Sequence, residues 1–105
     1  MAAFDPETFN EEKYVEHFVE LQEAYKRAFD TMNSRFDKTL VHAIDQQVLN
    51  ESEPFYDDGA FRIELPENPY DRLMGVEVER ERFETVLDRY VEELRAELRR
   101  KFDVE

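Results

Sequence analysis

The sequence predicts an α+β fold that is mainly α: an antiparallel pair of long amphipathic helices, a shorter helix and a small β-hairpin. Two long segments repeat apolar residues at helical spacing. Between them, a segment flanked by prolines alternates apolar and polar residues as a strand does. A chain of 105 residues suffices for one core. We therefore expect one domain, helical over 6–50, with a hairpin region over 51–78 and a C-terminal helix over 79–102.

The first helical segment has a start signal near the N-terminus. Asp5 can cap the helix, and Pro6 can occupy its first position. Phe4 and Phe9 stand at the two positions of a hydrophobic staple, while Asn10 is a second possible cap. One apolar face then follows at spacings of three and four residues: Tyr14, Phe18, Leu21, Tyr25, Ala28 and Met32.

The weakest helical sequence of this segment lies in its second half. Asn33, Ser34 and Asp37 are poor helix formers, and they predict a kink or a short break within residues 30–39. The stretch TLVHAIDQQVLN, residues 39–50, then resumes helical spacing. One side of it is apolar: Leu40, Val41, Ile44, Val48 and Leu49. Its low charge, in an otherwise highly charged chain, indicates a buried helix or a partner surface.

Around Pro54 the periodicity changes from helical to alternating. The sequence FYDDGAF, residues 55–61, places a turn signal between apolar residues. Residues 61–65 then alternate strictly. An Asp-Asp-Gly turn between two such runs predicts a short β-hairpin, and Pro66 ends it.

The segment after the hairpin has weaker signals. Asn68 and Pro69 can begin a single helical turn, which Gly75 ends. The alternation at 76–78, Val-Glu-Val, predicts a third short strand.

The last segment has the clearest helical pattern. Its apolar residues share one face: Phe83, Val86, Leu87, Tyr90, Val91, Leu94, Leu98 and Phe102. Glu and Arg residues three or four positions apart supply surface ion pairs. A helix over 79–102 would be about 36 Å long. Because the first segment is of similar length, we expect the two to pack antiparallel and to bury both apolar faces.

The charge balance predicts a salt-adapted protein. The net charge is −13, and arginines outnumber lysines by ten to four. Repulsion of that size destabilises a compact chain in dilute buffer, and it weakens when salt shortens the Debye length to roughly 3 Å at 1 M. A large acid excess with few lysines is typical of halophilic proteins. An acidic protein of an ordinary cytoplasm is the alternative.

Composition also limits partners and location. An acidic chain repels nucleic-acid phosphates, so we expect no nucleic-acid partner; the basic run 95–101 suits the end of a helix. The chain has no cysteine, which excludes disulfides and thiolate metal sites. The N-terminus lacks the basic and apolar regions of a signal peptide, and no apolar segment approaches the ~20 residues of a membrane span. We expect a cytoplasmic protein without a membrane partner.

The two histidines are the residues to test for metal binding. Ferritin-like sites use Glu-x-x-His on helices, but Tyr14 and Thr39 stand three positions before His17 and His42. His42 and Asp45 would supply two ligands where a site needs three or four. Both are weak metal candidates, and we expect no cofactor.

Catalytic motifs are also missing. The sequence has no Gly-x-Ser-x-Gly elbow and no Gly-rich phosphate loop. Pairs of carboxylates carry no signal, because 27 acids in 105 residues bring many together by chance. The sequence therefore predicts a protein that is not an enzyme.

Aromatic residues predict a core and also a surface that a second chain would cover. Tyr14, Phe18, Tyr25, Phe29 and Phe36 repeat at helical spacings. Two helices and a small hairpin have limited area to cover five rings on one helix. The sequence therefore predicts a homodimer, whose interface resembles a core cut in half.

Five residues form the predicted interaction surface. Gln46 and Gln47 are neutral donors and acceptors that suit a polar contact between chains. Val48, Phe55 and Tyr56 lie close to them in sequence. The function predicted first is a salt-adapted, self-associating protein–protein interaction module.

The alternative function is a small ligand- or metal-binding regulatory protein. Its site would lie near His42 and Asp45, where the hairpin residue Tyr56 would approach the helix.

Three segments carry a family resemblance. TLVHAIDQQVLNESEPFY, PYDRLMGV and FETVLDRYVEELRAELRRKF, together with the acidity, resemble a family of small acidic proteins of halophilic archaea. The resemblance extends over the whole chain. That family has no assigned activity, so the resemblance implies a saline habitat and a soluble cytoplasmic state, and it implies no catalytic residues.

Overall fold

The structure is a computed structural model that describes residues 6–15 and 17–102. These residues form four α-helices and one antiparallel hairpin, which confirms the predicted mainly helical α+β fold. The helices are α1 (Pro6–Glu12), α2 (Phe18–Arg35), α3 (Lys38–Gln47) and α4 (Arg80–Lys101), and the strands are β1 (Glu53–Asp57) and β2 (Ala60–Glu64). Short 3₁₀ turns occupy Leu49–Glu51 and Pro69–Arg72.

Helices α2 and α4 form the antiparallel pair that the sequence predicts. At one end, the guanidinium of Arg82 lies 6.0 Å from the ring centre of Phe36. At the other end, Lys101 Nζ lies 2.9 Å from Glu23 Oε2. The faces between them are buried: Leu21, Ala24, Ala28 and Met32 of α2, and Phe83, Val86, Leu87, Tyr90, Leu94 and Leu98 of α4. Helix α4 begins and ends within a residue of its predicted bounds.

A break between α2 and α3 lies within the stretch where the sequence predicts one. Phe36 has an extended backbone, which ends α2. Asp37 then caps α3, because its carboxylate accepts hydrogen bonds from the backbone N–H groups of Thr39, at 2.8 Å, and Leu40, at 3.3 Å. Asp37, a poor helix former within a helix, thus acts as the N-cap of α3.

A second break, between α1 and α2, is not predicted by the sequence, which continues one helix through this region. Lys13 explains the break. Its side chain is only 2 % exposed; Nζ donates to the Asn10 carbonyl at 3.0 Å and pairs with Glu53 of β1 at 2.9 Å. The same ammonium lies 4.3 Å from the ring centre of Phe55. These contacts with β1 outweigh the local preference for helix.

The side-chain amide of Asn10 joins α1 to β1. Its Nδ2 donates to the carbonyl of Tyr56 at 2.9 Å, and its Oδ1 accepts from the N–H of Tyr56 at 2.9 Å. The amide therefore pairs as a neighbouring strand would, and it covers the outer edge of the hairpin. Asn10 lies within α1 and is not a helix cap. The cap predicted at Asp5 and the hydrophobic staple predicted at Phe4 lie outside the described residues.

The hairpin has the predicted turn. Asp57 pairs with Ala60, so two residues connect the strands. Asp58 and Gly59 both have positive φ, 54° and 79°, as a type I′ turn requires. Glycine reaches this conformation without the steric cost that a side chain adds.

The prediction of a third strand at 76–78 is wrong, because the sheet that the described residues form has two strands. The carbonyl of Val78 accepts a hydrogen bond from the Tyr70 hydroxyl at 2.6 Å instead of joining a ladder. Val76 and Val78 pack half-buried against the core. Their alternation reflects an extended segment with one side on the core.

Aromatic rings join α1, the hairpin and the end of α4. Phe61 of β2 is 1 % exposed. Its ring centre lies 5.4 Å from that of Phe9, 4.8 Å from that of Tyr56 and 5.9 Å from that of Phe102. Phe9 and Phe102 also touch edge to face, at 5.3 Å.

Within 6–15 and 17–102, no helix is long and apolar enough to cross a bilayer.

Candidate functional site

A groove of about 460 Å³ lies between α2, the last turn of α3 and the segment that leads into β1. We call it the tyrosine groove. The residues that line it come from these three parts of the chain: Tyr14, Phe18, Leu21, Gln22 and Tyr25; Asp45 and Gln46; Leu49, Asn50, Ser52 and Pro54. Leu21, Leu49 and Pro54 are buried core residues, so the floor of the groove belongs to the packed interior.

Asp45 carries the only charge among the described lining residues of the tyrosine groove. Its carboxylate accepts a long hydrogen bond, 3.4 Å, from the hydroxyl of Tyr90 on α4. Partial burial raises the pKa of Asp45, although the Tyr90 hydrogen bond and the nearby His42 oppose the rise. Burial and the neighbouring Asp45 charge likewise raise the pKa of Tyr90, so its hydroxyl keeps its proton.

The other polar groups of the groove are hydroxyls, of tyrosines and of Ser52, and the side-chain amides of Gln22, Gln46 and Asn50. The Tyr25 hydroxyl and the Ser52 hydroxyl lie 3.0 Å apart and share a hydrogen bond, while Ser52 Oγ also donates to the Leu49 carbonyl at 2.6 Å. Burial raises the pKa of Tyr25 to about 12, and it also raises the pKa of Tyr14. The groove thus presents neutral hydroxyl and amide groups beside one carboxylate.

An exposed apolar surface adjoins the tyrosine groove. We call it the apolar row: Tyr14, Val15, Phe18 and Val19. Their exposed fractions are 54 %, 82 %, 48 % and 60 %. Elsewhere in the described chain, Met74 is the one large apolar residue with comparable exposure, at 78 %. Tyr14 and Phe18 belong both to the row and to the groove.

The five predicted interaction residues occupy different environments. Gln46 is exposed and lines the tyrosine groove. Gln47 bonds within the chain: its Nε2 donates to the Met74 carbonyl at 3.2 Å, and its Oε1 accepts from the Met74 N–H at 2.7 Å. Val48 is fully buried in the core, so its side chain is not on the surface that a partner would meet.

The two hairpin residues of that prediction lie away from the groove lining. Tyr56 is buried against Phe61. Phe55 is half-buried between the cations of Lys13 and Arg62, whose guanidinium lies 4.8 Å from its ring centre. Contact of these residues with a second chain stays a prediction.

His42 is not among the described lining residues of the groove. It is exposed, and its ring centre lies 4.9 Å from that of Phe29, edge to face. Tyr56 does not join it. Across the described ranges, no group of three or more His, Cys, Asp or Glu residues could hold a metal ion. His42 and Asp45 therefore stay two potential ligands without a third.

We expect Asp45→Asn to stabilise the chain at neutral pH. The raised pKa of Asp45 means that its charged form is less favourable in the folded chain than in the unfolded chain. As the pH falls through the folded pKa, the wild type becomes protonated and its free energy of unfolding rises relative to that of the variant. The gain is complete below the unfolded value of about 3.9. Urea unfolding of both proteins between neutral pH and pH ~4 measures the difference in unfolding free energy.

The control for this test is Asp88→Asn, at an exposed position of α4. It removes one charge from the same acidic chain without touching the groove. An Asp45→Asn advantage that does not shrink on acidification, or that equals the advantage of Asp88→Asn throughout, would contradict the assignment of desolvation at Asp45.

The sequence predicted Asp45 as a weak metal ligand and Gln46 as an interaction residue, and it assigned Tyr14, Phe18 and Tyr25 to a core that a second chain would partly cover. Tyr14 and Phe18 follow the same spacing as the buried Leu21. Helical spacing does not separate them, because Tyr14 and Phe18 line the open groove whereas Leu21 packs into its floor.

The comparisons with known proteins identify a family without an activity. A family model described as "Family of unknown function (DUF5783)" matches residues 1–105. No curated protein and no solved structure matches the chain. The match spans the whole chain, as the resemblance predicts, and an origin in halophilic archaea stays a prediction.

Proposed function

The chain belongs to the DUF5783 family, and because the function of that family is unknown, we propose one from the surface of the molecule. The protein is a non-enzymatic interaction module that associates with a second copy of its own chain. It works in the concentrated salt of a halophilic cytoplasm.

The apolar row carries this proposal. Its four residues lie within residues 14–19, where α1 gives way to α2, and each is about half exposed or more. Covering them with protein removes apolar surface from water, which is favourable by roughly 25 cal/mol per Å². Clusters of exposed apolar residues are typical of protein–protein interaction sites.

Charge favours a second copy as the partner. Each chain carries a net charge of −13, so two copies repel each other unless they meet at a surface with few charges. The apolar row has no charged member, and the described lining of the adjoining groove has one. A basic partner would instead be drawn to the acid-rich remainder of the surface.

The acidic surface also sets the dependence on salt. Repulsion between two chains of −13 falls as salt screens it, whereas burial of apolar surface persists or strengthens. Association should therefore become tighter with added KCl. An interface made from ion pairs would respond in the opposite direction.

A double variant, Val15→Ser with Val19→Gln, tests the interface. Sedimentation in concentrated KCl should show wild-type dimers that dissociate on dilution, and association of the variant should be weaker by at least about tenfold. In a two-fold symmetric interface each substitution removes two valines, one from each chain. Both positions are exposed, so the circular dichroism of the dilute variant should match the wild type.

The control is Met74→Gln, which removes an equally exposed apolar side chain outside the row and should leave association unchanged. A wild-type chain that stays monomeric at every concentration and salt, or a double variant that associates as the wild type does, refutes the proposal.

A further inference from the structure

We infer that the tyrosine groove binds a small organic cation, an ammonium group that carries apolar substituents. This binding site shares Tyr14 and Phe18 with the proposed self-association surface, but Val15 and Val19 are not among its described lining residues, so the two proposals can be tested separately.

The size and position of the groove suit a small molecule. Its volume, about 460 Å³, lies within the roughly 300–1,000 Å³ of small-molecule sites. Core residues form its floor, and α2, α3 and the β1 lead-in form its walls. These walls belong to different elements that pack on one core, so the groove is present before a ligand arrives.

The charge of the groove selects a cation. Asp45 provides a carboxylate, and no lysine, arginine or histidine is among the described lining residues. An anion would meet Asp45 without a compensating positive group. A cation beside Asp45 would offset the partial desolvation that this carboxylate undergoes in the folded chain.

The aromatic lining selects an organic cation over a metal ion. Tyr14, Phe18 and Tyr25 supply three rings, and aromatic faces attract alkylammonium groups within about 6 Å of the ring centre. A metal ion would need several oxygen ligands. The groove has one carboxylate, and its remaining side-chain oxygens belong to neutral hydroxyls and to the amides of Gln22, Gln46 and Asn50, whereas the described residues contain no group of three or more His, Cys, Asp or Glu that could hold a metal ion.

Benzyltrimethylammonium chloride is the probe, because it combines a quaternary ammonium with an apolar ring. It is titrated at constant ionic strength into the Val15→Ser, Val19→Gln protein and followed by NMR. We expect saturable shifts at Tyr14, Phe18, Tyr25 and Asp45. Benzenesulfonate, an aromatic anion, should give none, and benzyl alcohol should bind at least about tenfold more weakly.

Two substitutions test the named groups. Asp45→Asn keeps an oxygen for the Tyr90 hydrogen bond and should weaken binding at least about tenfold. Phe18→Leu keeps an apolar side chain, removes a ring, and should weaken binding severalfold. His42→Ala, one turn from Asp45 but outside the described groove lining, should bind as the parent does.

The result that overturns the inference is the absence of saturable shifts, an equal response to benzenesulfonate, or unchanged binding by Asp45→Asn. Because the titration uses the variant that should not dimerise, failure of binding leaves the self-association proposal intact. Failure of self-association equally leaves the groove inference intact.

Discussion

Truncation of Phe61 to alanine is expected to lower the free energy of unfolding by about 3–5 kcal/mol. The ring is almost fully buried and touches rings from α1, β1 and the end of α4. Its removal leaves a cavity where three elements meet, and the surrounding rings cannot all close it. Urea unfolding at a fixed KCl concentration measures the loss as a lower midpoint with an unchanged slope.

Arg62→Ala is the matched control for Phe61→Ala. Arg62 is the next residue of β2, on the opposite face, where its guanidinium pairs with Asp57 and Glu64 in solvent. Exposed ion pairs contribute about 0–1 kcal/mol, so this variant should unfold near the wild-type midpoint. If the two variants lose equal stability, Phe61 does not have the central position described above.

Replacement of Asn10 by alanine is the second large expected effect, a loss of about 2 kcal/mol in unfolding free energy. The change removes two hydrogen bonds and leaves the N–H and carbonyl of Tyr56 without these partners. Alanine is the better helix former, so helix propensity in α1 works against the loss. Thermal and urea unfolding in the same buffer measure the net change.

Two further variants separate the hydrogen bonds from other effects. Asn10→Asp keeps an acceptor for the Tyr56 N–H and loses the donor, so it should fall between wild type and Asn10→Ala. Gln22→Ala removes an exposed amide from α2 and should change stability by less than about 0.5 kcal/mol. If Asn10→Ala leaves the free energy of unfolding unchanged, the side-chain amide of Asn10 does not hold α1 on β1.

Periodicity predicted the elements of this fold, and it failed where a distant partner decides the local structure. Lys13 is one polar residue in a helical pattern. Nothing near it in sequence indicates that its ion pair with Glu53 will end the helix at this point. Asn10 has the sequence signature of a cap, whereas its partner is Tyr56. Both partners lie about forty residues away along the chain.

The candidate site was less predictable than the fold because apolar spacing does not distinguish covered from uncovered positions. Tyr14 and Phe18 continue the pattern of α2, but they line an open groove and stay about half exposed. The sequence predicts Asp45 only as a weak metal ligand beside His42. Its contact with Tyr90 and its place in the groove depend on how α3 packs against α4.

The edge-to-face contact between Phe9 and Phe102 has a consequence for the order of folding. It joins positions near opposite ends of the described chain, so it closes a long loop at a high cost in chain entropy. Helix α1 has seven residues, too few to persist by itself in water. The hairpin and the α2–α4 pair should form first, and α1 should be the last element to dock and the first to detach.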